Sequence, residues 1–394
     1  VDIQPMQPLQ FKLANQGVTI FSTMTALAQR LKAINLSQGF PDFAAPDALI
    51  EALCDATRSG YNQYAPGDGW LPLREQVAAL FLSRDQLLID PVHEVTITPG
   101  ATIGIFAAIQ AVVQAGDEVI VFDPSYDSYA PAVRVAGGIP VHIALKAPNF
   151  AVDWSEVKAA IRPHTRMIIV NTPHNPTGTL WSLDDWQQLI ELVEQHDLLV
   201  LSDEVYEHLV FDQQRHYSAL HFPALRARSF VVGSFGKTFH VTGWKTGYCV
   251  ASPVLMQGFR QIYQYANFCG NTPAQVALAE YMRQHPTHIP ALPDFYQAKR
   301  DLFNQGLSTS HFQFTPTPGT YFQCVDYSAI RPDLTDVEMC YFLAEQYGVV
   351  AIPLSVFYQS PDPKMRLIRF CFAKTEQTLT QATQRLAECS PWLS

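Results

Sequence analysis

The chain is poor in charge, poorer in basic residues and without long apolar runs, and each shortage closes off a class of function. Charged residues make up 16% of its 394 residues and hydrophobic ones 48%, the balance of a compact globular chain and not of a disordered or fibrous one. The 26 lysines and arginines face 36 acidic residues, a formal charge of -10, so the chain lacks the basic surface with which a general nucleic-acid binder displaces counterions. No apolar run approaches the length of a membrane span. Val1-Asp2-Ile3-Gln4-Pro5 has no basic flank leading into an apolar stretch, so no secretion signal is visible. The seven cysteines (Cys54, Cys249, Cys269, Cys324, Cys340, Cys371 and Cys389) are odd in number and scattered, with no C-x-x-C pair. That argues against a disulfide framework and against a metal site, and favours reduced, buried thiols in a cytoplasmic protein. Internal repeats and low-complexity tracts are also missing.

What is present suits a two-domain α/β enzyme. A helix-period stretch near Phe21–Lys32 precedes the loop Ser37–Asp42. From Val95 onward, short apolar runs alternate with helical segments such as Ala101–Gln114 and Leu183–Glu194. The strand-like runs are Val95–Thr98, Val119–Phe122, Pro140–Ala144, Met167–Asn171, Leu198–Ser202, Phe230–Gly233 and Tyr248–Ala251. They are rich in Val, Ile and Leu without strict polar alternation, as in strands covered on both faces. The repetition predicts a mostly parallel, doubly wound sheet of seven strands. His285–Pro293 is proline-dense and reads as a boundary. A smaller α+β unit follows. Its expected parts are helices near Tyr296–Gly306, Asp336–Tyr347 and Glu376–Cys389, and strands at Tyr321–Asp326, Val349–Ile352 and Leu367–Phe372. The expected division is an N-terminal arm over 1–36, a large domain over 37–284 and a small domain over 285–394.

In open α/β sheets, ligands bind beyond the carboxyl ends of the strands. Here those ends carry suitable groups. Thr98-Pro99-Gly100-Ala101-Thr102 leads into a helix whose first N–H groups can hold a phosphate, with Gly100 permitting close approach. Tyr126 follows the next strand and can stack on an aromatic ring, although an ordinary packed tyrosine reads the same way. Asn175 sits in a turn stiffened by two prolines and Gly178, with a purely structural turn the competing reading. Asp203 directly follows an apolar strand, where a carboxylate is desolvated unless it meets a positive partner such as a protonated pyridine nitrogen; a helix N-cap is the competing reading. Tyr206, three residues on, falls on the same side of a helical turn. Lys237, after Ser234-Phe235-Gly236, is a lysine at a strand end, where burial lowers the pKa and favours a neutral amine able to form a Schiff base with an aldehyde cofactor. Ser234 and Lys245 lie close enough in sequence to hold that cofactor's phosphate.

Together these motifs resemble the fold-type I, pyridoxal-phosphate-dependent class I aminotransferases. Within them the chain looks like the bacterial methionine aminotransferases and the kynurenine and glutamine-transaminase-K group. The resemblance runs from about Thr19 to the C-terminus. It rests on Asn35-Leu36-Ser37-Gln38-Gly39-Phe40-Pro41-Asp42, Asn62-Gln63-Tyr64, Asp123–Tyr129, Asn175-Pro176-Thr177-Gly178, Ser202–Tyr206, Ser234–Lys237 and Arg369. It implies that Lys237 binds the cofactor and shuttles the proton, and that Asp203 pairs with the ring nitrogen. Tyr206 and Asn175 would bond the ring oxygen and Tyr126 would stack on the ring. Gly100, Ala101, Thr102, Ser234 and Lys245 would hold the phosphate. Tyr64 would reach the neighbouring subunit of a homodimer. Arg369, helped by Asn175 and the Gly39 backbone, would clamp the substrate carboxylate. Many class I members have arginine where this chain has Lys245, a departure that points to the methionine and kynurenine branch.

The implied reaction is a ping-pong exchange of an amino group between an amino acid and a 2-oxo acid. By the same resemblance, Phe21, Tyr61, Phe268 and Phe357 are candidates to line the side-chain pocket, with core packing the competing reading of each. Such a lining favours methionine, phenylalanine, tyrosine, glutamine or kynurenine over aspartate. The rival readings are a cysteine-S-conjugate β-lyase on the same scaffold and, more remotely, a non-enzymatic regulator that binds the cofactor.

Overall fold

The structure is a computed structural model that describes residues 11–13 and 17–391. Val1–Pro5, read above for a secretion signal, and most of the first part of the expected arm lie outside the described residues. Twelve strands are present among those described: β1 Ile34–Asn35, β2 Val95–Thr98, β3 Glu118–Asp123, β4 Ile139–Ala144, β5 Thr165–Asn171, β6 Leu199–Asp203, β7 Ser229–Ser234, β8 Gly247–Ala251, β9 Phe322–Asp326, β10 Val349–Val350, β11 Ile352–Pro353 and β12 Leu367–Cys371.

Seven of them form the central sheet, in the order β2-β8-β7-β6-β5-β3-β4. The β3–β4, β3–β5, β5–β6 and β6–β7 pairs are parallel, while β8 runs antiparallel to both β7 and β2. The mostly parallel sheet expected from the Val/Ile/Leu runs is therefore observed. Its strands other than the edge strand β4 are buried on both faces because helices cover both, while β4 is partly exposed. The register aligns the chemistry: Asn171 pairs with Asp203, and Gly247 pairs with both Ser234 and Thr98. The carboxyl ends of β2, β5, β6 and β7 thus share one edge with the start of β8. Gly247 is needed there, since a Cβ would meet Gly233 O at 2.6 Å and Ala101 N at 2.9 Å.

The second layer of structure is smaller. β11, β12 and β9 form an antiparallel sheet, and β1 pairs with β10 in parallel. Helix Ile20–Leu31 packs Met24, Leu27 and Ala28 into the same core as Tyr321, Ile368 and Leu379. Three expectations need correction. The proline-dense His285–Pro293 segment breaks the chain only over His285–Thr287, between helix Thr272–Gln284 and helix His288–Leu307, and the later prolines lie inside the second helix. Pro290 sits in the first turn, where its missing N–H is not required, and Pro293 removes one internal bond. Burial of Leu292, Tyr296, Phe303 and Leu307 outweighs that loss. The run Val349–Ile352 is two strands, not one, because the chain changes partner at Ala351, from β1 to β12. The expected helix from Asp336 is α-helical only to Phe342 and widens to a π turn over Leu343–Tyr347. Its start is fixed by a capping box between Thr335 and Glu338.

Candidate active site

Five strand ends of the central sheet converge on a cavity of about 280 Å3, and each brings a different polar group. The segment after β2 brings Gly100, Ala101 and Thr102, and the one after β3 brings Tyr126. β5 leads to Asn171 and Asn175, β6 ends in Asp203 with Tyr206 beyond, and β7 ends at Ser234 and Lys237. Gly39 and Phe21 close one side, and Arg369 with Phe322 enters from the smaller sheet.

The Lys237 amine donates to Gly39 O at 2.9 Å and to the Tyr321 hydroxyl oxygen at 2.9 Å. Burial lowers its pKa to about 8, and the positive charges of Lys245 and Arg369 push the same way. At pH 7 about a tenth of this amine is therefore neutral, far more than for a free lysine, and the neutral form is the one a nucleophile or proton acceptor needs.

Asp203 is buried with almost no exposure. Burial raises its pKa to about 6, opposed by a hydrogen bond from the Tyr129 hydroxyl at 2.6 Å and another from Val205 N at 3.3 Å. The helix-cap reading of Asp203 has limited support, since no helix follows β6 directly. Asn171 ties the two central strand ends together. Its Nδ2 donates to Asp203 O at 2.8 Å, and its Oδ1 accepts from Asn175 N at 2.8 Å.

Arg369 is 1% exposed. Nη1 donates to Asn175 Oδ1 at 2.7 Å and Nη2 to Ser37 O at 3.0 Å, while Nε has no hydrogen-bond partner. Among the described residues no carboxylate forms an ion pair with it. A buried guanidinium with an unused donor is costly unless an anion completes it. The plane lies 3.8 Å from the centre of the Phe322 ring, with Phe357 and Phe21 at 5.4 and 5.8 Å.

The far end of the cavity is built for an anion. Helix Ala101–Val112 starts at Gly100 with no side-chain cap, so its first N–H groups remain open. Gly100 has φ 77°, and a Cβ there would lie 3.4 Å from Lys245 Nζ. Ser234 likewise starts the Phe235–Thr238 turn without capping it. Thr102 Oγ1 and Tyr126 Oη are 3.3 Å apart.

The remaining expected residues are not in this cavity. Phe357 stands behind it, 5.7 Å from Phe21. Tyr61, Tyr64 and Phe268 lie on the surface, 39%, 81% and 38% exposed, with Tyr64 against Phe268 at 5.3 Å. Conversely, sequence reading passed over Gln38, Tyr129, Asn171, Tyr321 and Phe322. Tyr129 lay inside a motif already noted, three residues after Tyr126. Tyr321 and Phe322 follow Pro318-Gly319, a turn signal at the head of a strand.

Comparison with known proteins gives a consistent set. Residues 32–386 match the family model described as aminotransferase class I and II. The chain is 50% identical to the methionine aminotransferase of Escherichia coli K12 over 384 residues, covering 98% of this chain and 99% of that one. It is 38% identical to a probable N-succinyldiaminopimelate aminotransferase of Mycobacterium tuberculosis, covering 95% and 97%. Against kynurenine–oxoglutarate transaminase 1 of Mus musculus the identity is 34%, covering 92% and 93%. A solved Escherichia coli structure described as having a methionine aminotransferase function superimposes with a TM-score of 0.94 at 50% identity, covering 98% of this chain and all of that one.

Proposed function

The chain belongs to the class I and II aminotransferases, and from that premise we propose that it uses pyridoxal 5'-phosphate to move the amino group of methionine or a similarly apolar or aromatic amino acid to a 2-oxo acid. Aminotransferase activity follows from the family and from relatives aligned over nearly the whole chain. The cofactor and substrate assignments rest on the cavity.

The cavity fits the cofactor at three separated points. The uncapped helix start at Gly100, with Thr102, Ser234 and Lys245, suits its phosphate. Asp203 suits its ring nitrogen, and Lys237 its aldehyde. When bound, the group supplies an electron sink for the charge released at the substrate Cα. Tyr126 would stack on the ring, and Asn175 and Tyr206 would bond its ring oxygen. Lys237 would take the Cα proton on Nζ and return it two atoms away, across the amino nitrogen, a role that needs the lowered pKa it has. Asp203 keeps a negative charge in a buried place through the Tyr129 and Val205 donors. Arg369 receives the substrate carboxylate on the donor edge left open by Asn175 and Ser37.

The single observation that carries the substrate reading is the aromatic wall of Phe21 and Phe322 beside the Arg369 guanidinium, backed by Phe357. It offers apolar surface and sulfur–aromatic contact beside the carboxylate clamp. We also propose a homodimer in a cytoplasmic setting. Tyr64 and Phe268 form an exposed aromatic pair suited to a partner copy, with Tyr61 exposed against Trp70, and the seven free thiols suit a reducing compartment. The test is a donor panel on the cofactor-loaded chain with several 2-oxo acids. Methionine and phenylalanine are expected to exceed aspartate in kcat/KM by about 10²-fold or more, an energy within reach of apolar burial and an unpaired second carboxylate. Preference for aspartate would refute the aromatic-wall reading. Release of ammonia and pyruvate from a cysteine S-conjugate without an acceptor would identify a β-lyase instead.

A further inference from the structure

We propose that Tyr321 is a positioning residue that turns the lone pair of the Lys237 amine into the cavity. The proposal rests on the reading above that Lys237 carries the proton. A neutral lysine amine has two N–H donors and one lone pair. Here both donors are taken: one by Gly39 O and the other by the Tyr321 hydroxyl oxygen, each at 2.9 Å. The Tyr321 hydroxyl itself donates to Gly39 O, which leaves its oxygen free to accept from the amine. The three atoms close a ring of hydrogen bonds, and the lone pair is directed away from it. Lys237 lines the cavity, so away from the ring means toward the substrate space.

The hydroxyl is held rigidly enough to serve. Tyr321 is fully buried, with its ring edge-on to Tyr206 at 5.1 Å and to Phe322 at 4.9 Å and tilted against Tyr296 at 5.8 Å. A rotamer change would break that stack. The backbone oxygen of Gly39 alone would leave the amine free to rotate about its Cε–Nζ bond. Other groups acting on Nζ set its charge without setting its direction: Lys245 and Arg369 favour the neutral form, while Asp203 and the Cys371 thiol oppose it.

Two variants test this. Tyr321→Phe removes only the hydroxyl. Tyr296→Phe removes a hydroxyl from the same stack that has no hydrogen-bond partner, and serves as the packing control. The first readout is the pH dependence of Lys237 acetylation by acetic anhydride in the full chain before cofactor is loaded, followed by peptide mass spectrometry. The wild-type midpoint is expected near 8, the value burial sets. Loss of an acceptor destabilises the ammonium form more than the amine, so Tyr321→Phe should lower the midpoint by about one pH unit and Tyr296→Phe should leave it in place. The second readout uses the cofactor-loaded enzyme. Tyr321→Phe should keep the visible absorption of bound cofactor and a KM for methionine within about twofold of wild type, while kcat falls by roughly 10- to 100-fold. The isotope effect with Cα-deuterated methionine should rise. A lower midpoint supplies more neutral amine, so a lower kcat then reports orientation and not charge. An unmoved midpoint, an unchanged kcat, or an equal loss in Tyr296→Phe would overturn the proposal. Wild-type turnover by Lys237→Ala would instead overturn the reading beneath it.

Discussion

Asp203 and Glu204 are neighbours in the chain, both buried, yet they enter opposite kinds of polar cluster. Asp203 faces the cavity, where charges are left incomplete. Arg369 has an unused Nε, the helix at Gly100 has open N–H groups, and Lys237 and Asp203 have pKa values displaced by burial toward 8 and 6. Glu204 faces away, into a network whose carboxylates all have partners, although His216 Nδ1 has none. Its Oε1 accepts from Ser202 Oγ and Ala219 N, and its Oε2 meets His216 Nε2 at 3.0 Å. Glu207 takes Arg84 at 2.6 Å and the Tyr248 hydroxyl, and Asp85 meets Arg84 and His221. Burial acts to raise the Asp85 pKa, but the His221 and Arg84 hydrogen bonds outweigh it and bring it down to about 2. Glu204, Glu207 and His216 could geometrically hold a cation, with ligand atoms within 4.8 Å of one another, yet their carboxylates already have these partners. Burial alone therefore does not mark a reactive group. The site is marked by buried charges with no opposite charge paired to them, the scaffold by buried charges paired with one another.

The comparison breaks most visibly at its two lysine and arginine anchors. Lys237→Ala should lower turnover by about 10⁴-fold or more, the upper range for a positioned proton shuttle, with no fall in Tm, because it removes a desolvated amine. Arg84→Met should do the reverse. It strands Glu207 and Asp85 and should cost about 3–5 kcal/mol of stability by urea unfolding, with KM for the amino donor little changed. If Arg84→Met were as stable as wild type, the charge-paired network would not be a scaffold. Arg369→Lys keeps the charge but loses the fork, and should reduce kcat/KM for amino donors by about 10²-fold. Tyr129→Phe removes a donor to the Asp203 carboxylate and so raises that group's pKa further. The acid limb of kcat should move to higher pH, with roughly a tenfold loss near pH 6 and less at pH 8. The smallest effect is on acid stability. The Asp85 pKa is depressed in the folded chain, so its contribution is present above about pH 4 and lost as pH falls toward 2. Asp85→Asn should flatten that part of the stability–pH curve.

Much of this was legible in the sequence because the central sheet announces itself. Runs such as Val119–Phe122 and Phe230–Gly233 are apolar on both faces, and β2 falls where Val95–Thr98 predicts it. Strand ends then locate Gly100, Asn175, Asp203 and Lys237 without coordinates, and the structure brings them to one cavity. Three things were not legible. Helix His288–Leu307 passes through prolines because tertiary burial overrides local propensity. Tyr129 and Tyr321 look like any core tyrosines, and their hydroxyls acquire meaning only from Asp203 and Lys237, 74 and 84 residues away. Tyr61, Tyr64 and Phe268 sit on the surface, where one chain's sequence cannot say what covers them.

The central claim is that Lys237 moves the proton at a cavity completed by pyridoxal phosphate. Its most direct test is a single half-reaction. Cofactor-loaded chain is mixed with methionine and no 2-oxo acid, and the cofactor spectrum and the oxo acid released are followed together. The account predicts spectral conversion with about one equivalent of oxo acid per site in the wild type, and cofactor binding without conversion in Lys237→Ala. Conversion by Lys237→Ala at the wild-type rate would contradict it.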